Sequence, residues 1–175
     1  NIVWASSETV LGLPFETYPP YVPVDEEYDP RPESSYSLSK VMGEEMARQF
    51  CRRNPEMKIF GLRYSNIMEE HDYKKFKSFQ NDPFLRKWNF WGYIDARDVA
   101  QACLLAMESN LKGADNFIIA ADDTVMEEDN KLLLDKVFPN IQIKGEIGKN
   151  KTLLSNEKAK KVLGFKPEYS WKNIN

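Results

Sequence analysis

The sequence predicts an α/β domain with a parallel sheet. Short apolar runs that read as strands alternate with longer stretches of helical periodicity. Proline is concentrated between them, with six of the ten prolines inside residues 13–34. Of 175 residues, 42% are hydrophobic and 29% charged, which suits one folded domain with a real core.

The chain opens on "NIVWA" (1–5), an apolar run that ends in the polar "SSET". It reads as a buried strand delivering its carboxyl end to a polar site. Residues 13–34 read as a surface loop. From Tyr36 to Arg53 the pattern turns helical, with Leu38, Val41, Met42 and Met46 apolar and Glu45 and Gln49 polar. "MKIFGLRY" (57–64) is the next strand. Residues 66–92 are aromatic and charged without clear period. Asp98 with Gln101 reads as an N-cap and capping box for a helix to about Ser109, with Gly113 beyond its end. "NFIIAA" (116–121) is a third strand. A helix over 127–138 stops at Pro139. Ser155 reads as the cap of a last short helix, which Gly164 and Pro167 terminate.

Composition narrows the function classes. A formal net charge of −3 disfavours non-specific nucleic-acid binding. No window reaches the roughly 18 apolar residues of a membrane span, and "NIVWASSETV" lacks the basic start of a signal peptide. Cys51 and Cys103 have no C-x-x-C spacing, so a reducing, cytoplasmic setting is the simplest expectation. His71 is the single histidine, in the acidic "EEHDY", and it reads as a surface residue rather than a proton relay. No metal site is expected.

The chemistry concentrates in "ESSYSLSK" (33–40). Tyr36 and Lys40 stand one helical turn apart, behind serines able to cap. A free tyrosine ionises near pH 10 and is a poor base at neutrality. An ammonium one turn away favours the phenolate, so the pair can move a hydroxyl proton during hydride transfer. Y-x-x-x-K alone is weak evidence. It recurs at Tyr73 and Lys77, where the basic "DYKKFKSF" reads as a solvated face.

Other motifs give the pair its context. "WASSETVLG" (4–12), "YSLSK" (36–40), "LRYSN" (62–66) and "YIDARDVA" (93–100) follow in one order. Together they resemble the extended short-chain dehydrogenase/reductase, or NAD-dependent epimerase/dehydratase, family. The likeness runs from residue 1 to "KAKKVLGFKP". It implies the C-terminal part of a Rossmann-type parallel sheet domain plus a small substrate-binding lobe. The resulting division is 1–65 catalytic part, 66–92 lobe or lid segment, 93–125 return to the sheet, and 126–175 C-terminal lobe.

The resemblance also implies roles. Tyr36 is expected to be the acid/base, and Lys40 to hold the nicotinamide ribose. Ser7 is expected to orient the reacting oxygen, with Ser6 the near alternative. Tyr64, Ser65 and Ile67 belong to the turn beside the nicotinamide, and Asn66 to the substrate side. Leu11 stands where the family often has tyrosine, and Asp98 also matches a family position. Glu8 sits about where dehydratases add an acidic residue, though it could equally face solvent. From the residues themselves, Arg86 or Lys87 is the candidate contact for an acidic substrate group, among aromatic residues of 73–93 that read either as lobe core or as sugar-stacking faces. The substrate expected is a sugar, sugar nucleotide or sugar acid, handled with NAD or NADP.

One expected motif is missing. Nothing in the chain matches G-x-x-G-x-x-G, and its one close glycine pair, Gly145 and Gly148, lies in a charged loop. The sequence therefore reads as a fragment, with an unpaired strand at its start. It is expected to bind no NAD or NADP by itself. A non-catalytic scaffold built on a reductase remnant is the alternative. Val41, Met42, Met46 and Phe50 offer more apolar surface than one inner face needs, and the resemblance implies a homodimer through this helix.

Overall fold

The computed structural model describes residues 1–173. Its frame is a three-stranded sheet of β1 (Ile2–Ser7), β2 (Lys58–Tyr64) and β3 (Gly113–Ile119), in that spatial order and all parallel. Ser7 lies opposite Tyr64, and Tyr64 opposite Ile119, so the three carboxyl ends finish together. In open α/β sheets that end is where ligands bind.

Two helices cover opposite faces. Successive strand residues point to opposite sides, and Arg63 reaches Glu44 of α1 (Ser35–Arg53) while Tyr64 reaches Cys103 of α2 (Ala96–Glu108). A reciprocal Ser34–Ser37 capping box starts α1, and Arg52 and Arg53 occupy its last turn, where the helix dipole favours cations. The inner face of α1 is built from small or paired residues: Ser37, Glu44, Ala47 and Cys51. Gly43 allows the helix to lie close on Trp4, since a Cβ there would stand 2.8 Å from the indole. On the other face, buried Lys58 donates to the carbonyls of Ala106, Met107 and Ser109 at 2.7–2.8 Å, satisfying the carboxyl end of α2.

The Pro-rich segment wraps the sheet instead of hanging from it. Glu26 Oε1 accepts the Ile118 amide at 2.7 Å and so occupies the outer edge of β3. Tyr21–Val22 pairs with Gln142–Ile143, and Val24 is bonded to Leu153 and Ser155. The C-terminal part adds α3 (Asn130–Val137) and α4 (Glu157–Leu163). Beside them an aromatic core joins Phe15, Phe90 and Phe138, with ring centroids 4.5 and 4.7 Å apart, and Phe76, Tyr93 and Trp171, at 5.3 and 5.6 Å. β1 forms the other sheet edge, with Ile2 and Ala5 exposed.

Several expectations change. Asp98 does not cap α2. Asp95 does, accepting the Arg97 amide, while Asp98 is buried and accepts the amides of Glu168 and Tyr169. Tyr73 is not on a solvated face; it is buried against Phe76 and Tyr93, with its hydroxyl on Asp95. Asn156, not Ser155, precedes α4, and α3 starts at Asn130 behind an Asp129 cap. The 73–93 aromatics are mainly core, with Tyr73, Phe76, Phe90, Trp91 and Tyr93 buried. His71 is exposed beside Glu69. Among the described residues no helix is long and apolar enough to cross a membrane, and no group of three His, Cys, Asp or Glu residues could hold a metal ion.

Candidate active site at the carboxyl end of the sheet

The pleat of β1 separates its two serines. Ser6 points under α1 and donates to Glu44 Oε1 at 2.6 Å. Arg63 grips the same carboxylate through Nε at 2.9 Å and Nη2 at 2.7 Å. All three residues are buried. Ser6 is therefore part of an internal anchor. Ser7 falls at the strand end, where it caps a 3-10 turn over Glu8–Leu11 that Gly12 closes at φ 96°. Its Oγ accepts from the Thr9 amide at 3.2 Å and from Thr9 Oγ1 at 3.0 Å. Leu11 is fully buried, so it packs the core.

Tyr36 occupies the first turn of α1 and is 54% exposed. Lys40, one turn on, sits 5.2 Å from the Tyr36 ring centroid and 5.7 Å from that of Trp4. Its Nζ donates to the Ala5 carbonyl at 2.7 Å, which ties this turn of α1 to β1 two residues before Ser7. The sheet end thus gathers a strand-end hydroxyl, an accessible phenol and an ammonium. Ser7 and Tyr36 make no hydrogen bond to each other among the described residues. A cavity of about 890 Å³ lies elsewhere, beside His71, Tyr73, Lys74 and Trp171, and includes none of this group.

The other candidates divide between the surface and the interior. Ile67 is exposed, whereas the Tyr64 hydroxyl turns inward to Cys103 Sγ at 2.9 Å, and burial raises its pKa. Glu8, which sequence left between solvent and catalysis, is buried at 3% exposure. It accepts from Ser65 Oγ at 2.7 Å and from Asn89 Nδ2 at 3.2 Å. Burial pushes its pKa up to about 7, against the pull of Ser65, Asn89, Arg86 and the Asn66 amide.

Arg86, the expected substrate contact, is also buried. Its Nη2 donates to the Gly92 carbonyl at 3.1 Å, and its plane lies 4.7 Å from the Trp88 ring centroid. Asn66 is half-buried; with its amide oxygen turned to Arg86 it accepts from Nη1 at 2.9 Å and from Nη2 at 3.1 Å. Glu8, Ser65, Asn66, Arg86 and Asn89 therefore form one internal network behind Ser7. Sequence reading missed Asn89, Glu44 and Arg63. Asn89 carries no local signal, whereas Glu44 and Arg63 were visible as charges on otherwise apolar faces.

The comparisons with known proteins place this architecture. Residues 1–120 match the family model "NAD dependent epimerase/dehydratase family". A UDP-glucose 4-epimerase of Cyamopsis tetragonoloba is 39% identical over 71 residues, covering 41% of this chain and 19% of that protein. Among solved structures, the UDP-N-acetylglucosamine 4-epimerase of Bacillus cereus superposes with a TM-score of 0.61 at 20% identity, over 98% of this chain and 59% of that one. A short-chain dehydrogenase/reductase superfamily protein of Agrobacterium tumefaciens, solved with bound NAD, gives 0.65 at 24% identity over 97% and 63%. The chain spans about three fifths of these solved relatives, and their likeness establishes a shared Rossmann-type fold.

Proposed function

The chain belongs to the NAD dependent epimerase/dehydratase family, and from that premise we propose that it carries the catalytic wall of an NAD(P)-dependent enzyme that oxidises or epimerises a sugar, sugar nucleotide or sugar acid. The observation behind the proposal is the cluster at the sheet end: exposed Tyr36, Lys40 beside it on Ala5, and Ser7 at the end of β1.

The donor set fits the nicotinamide-ribose end of a dinucleotide. An ammonium has three donors, and Lys40 uses one on Ala5. The accessible Tyr36 phenol can meet a hydroxyl at the same place. When bound, the nicotinamide supplies the hydride acceptor. Tyr36 takes the substrate hydroxyl proton or returns it, and Lys40 favours the phenolate and orients the ribose. Ser7 turns from Thr9 to hold the reacting oxygen. Tyr64, Ser65 and Ile67 form the turn beside the ring, and Asn66 lies toward the substrate. The 175 residues contain no Gly-rich phosphate turn, so this reading has a dinucleotide-binding half work with them.

Oxidation or epimerisation is favoured over dehydration. The acid that dehydration would use, Glu8, faces inward with Ser65 on one oxygen and Asn89 on the other. A homodimer through α1 also belongs to the proposal, because Met42 (65%), Met46 (58%) and Phe50 (43%) remain exposed along it. The test is nicotinamide reduction, or epimer formation without net reduction, by a full-length form against a panel of sugars, sugar acids and sugar nucleotides. Tyr36→Phe should lower kcat by roughly two to four orders of magnitude with cofactor affinity nearly unchanged. Activity within a few-fold of the parent would remove the acid/base role.

A further inference from the structure

The network behind Ser7 gathers groups that the chemistry above does not use. Glu8 follows Ser7 directly. Its carboxylate faces Ser65 and the Asn66 amide from the loop after β2, and Asn89 and Arg86 from the 3-10 segment Pro83–Asn89. Of these neighbours only Arg86 is charged. Three chain segments therefore converge on one buried carboxylate: the Ser7 turn, the loop with Asn66, and the segment leading to Gly92.

The third segment is itself held tightly. Phe90 and Trp91 are consecutive bulky residues at φ 52° and 57°, an uncommon backbone for such side chains. Their rings are packed on Phe15 and Phe138. Asn89 Nδ2 and Arg86 Nη2 both donate to the Gly92 carbonyl, at 2.9 and 3.1 Å. The turn thus presents Asn89 and Arg86 to Glu8 from a fixed position.

We propose that Glu8 is a positioning residue for the Ser7–Tyr36–Lys40 site: ionised, it locks the Ser7 turn to the loop carrying Ser65 and Asn66, and protonated, it eases that hold. This rests on the functional reading above. The reasoning is about donors. Every group facing Glu8 donates, and an ionised buried carboxylate cannot give one up cheaply. A proton makes one oxygen a donor itself. Ser65 Oγ must then turn from donor to acceptor, and the charge that Arg86 faced is gone. Burial holds the exchange near neutrality, with the pKa raised to about 7. With its amide oxygen turned to Arg86, Asn66 connects the network to the side on which substrate is proposed to bind. Glu8 is buried, so in this reading it acts through Ser7 and Asn66.

The test begins with the unmodified 175-residue chain, carrying carbon-13 at glutamate carboxyls, followed by NMR from pH 4 to 9. The Glu8 carboxyl should titrate near neutrality, and the Ser65, Asn66 and Asn89 amides should move with the same midpoint. Ser65→Ala removes a donor that favours the ionised form, so the midpoint should rise by about one pH unit or more. Titration below pH 5, or amides that do not follow, would overturn the proposal without any variant having to fold.

The second arm uses the full-length form. Glu8→Gln should lower kcat by roughly tenfold to a hundredfold, with less change in KM, and should remove one ionisation from the kcat profile. A merely structural glutamate would reduce the yield of folded protein and leave that profile alone. NMR coupling in a protein without nicotinamide-linked activity would sink the functional reading while supporting the coupling. An active protein whose Glu8→Gln variant keeps the parent's pH profile would sink the positioning role.

Discussion

Replacing Glu44 with alanine tests what holds the Tyr36 helix in place. The Arg63 and Glu44 side chains are 4% and 6% exposed, and their ends meet at 2.7 Å. Ser6 Oγ adds a third bond, and Arg63 Nη1 already lacks a hydrogen-bond partner among the described residues. Glu44→Ala leaves a buried guanidinium without its hydrogen-bonded carboxylate, with Glu26 as the acidic group still near it. Breaking a buried pair from one side costs about 3–5 kcal/mol, because the remaining charge stays desolvated. That is a large share of the roughly 5–15 kcal/mol that stabilises a typical domain. Glu44 stands one turn beyond Lys40, so the same change should let the first turns of α1 drift from β1 and lower activity in a full-length form. Urea unfolding followed by circular dichroism should give a midpoint well below the parent's with a similar slope. The paired replacement Glu44→Leu with Arg63→Met removes both charges and should recover most of the loss. A single variant within about 1 kcal/mol of the parent, or a double variant no better than the single, would refute the reasoning.

Three further outcomes follow from the same geometry. Because the folded chain holds the Glu8 proton more tightly than the unfolded chain, this contribution is full below the ordinary pKa of 4.5 and lost as pH rises through about 7. That amounts to roughly 3 kcal/mol at about 1.4 kcal/mol per pH unit; unfolding at several pH values should show it in the parent and not in Glu8→Gln, and parallel curves would count against it. Isothermal calorimetry on the 175-residue chain should detect no NAD or NADP binding at micromolar levels, since Lys40 and Tyr36 can hold only the nicotinamide end; micromolar affinity would mean that other residues cradle the phosphates. Sedimentation should give a dimer at micromolar concentration that Met46→Glu converts to monomer, and a monomeric parent would exclude the α1 contact.

The parts of this protein legible in its sequence are those in which one local pattern fixes the outcome. Periodicity and serine caps located α1 within a residue, and the apolar run at 57–64 located β2. Tyr36 and Lys40 were readable as a pair because i and i+4 share a helical face. Where two local readings competed, the tertiary contact chose. "DARD" offers two aspartates as caps; Asp95 takes the Arg97 amide because Asp98 is claimed by the backbone at Glu168 and Tyr169. "DYKKFKSF" reads as a charged face by composition, yet Tyr73 and Phe76 turn inward while the lysines stay out.

Glu8 shows where local reading ends. Its partners lie 57 and 81 residues away, and nothing in "SSETV" says that a 3-10 turn will rotate its side chain into the core. The same turn keeps Ser7 at the end of β1 with Thr9 on its hydroxyl, and it buries the carboxylate next to it more deeply. A sequence motif can nominate both residues, but only the fold separates their surroundings: Ser7 meets Thr9 at the end of β1, and Glu8 meets Ser65, Asn66, Arg86 and Asn89. On the positioning role proposed for Glu8, sheet end, strained turn and buried network are coupled through a single side chain, and a proton on that side chain is the smallest change able to reach all three.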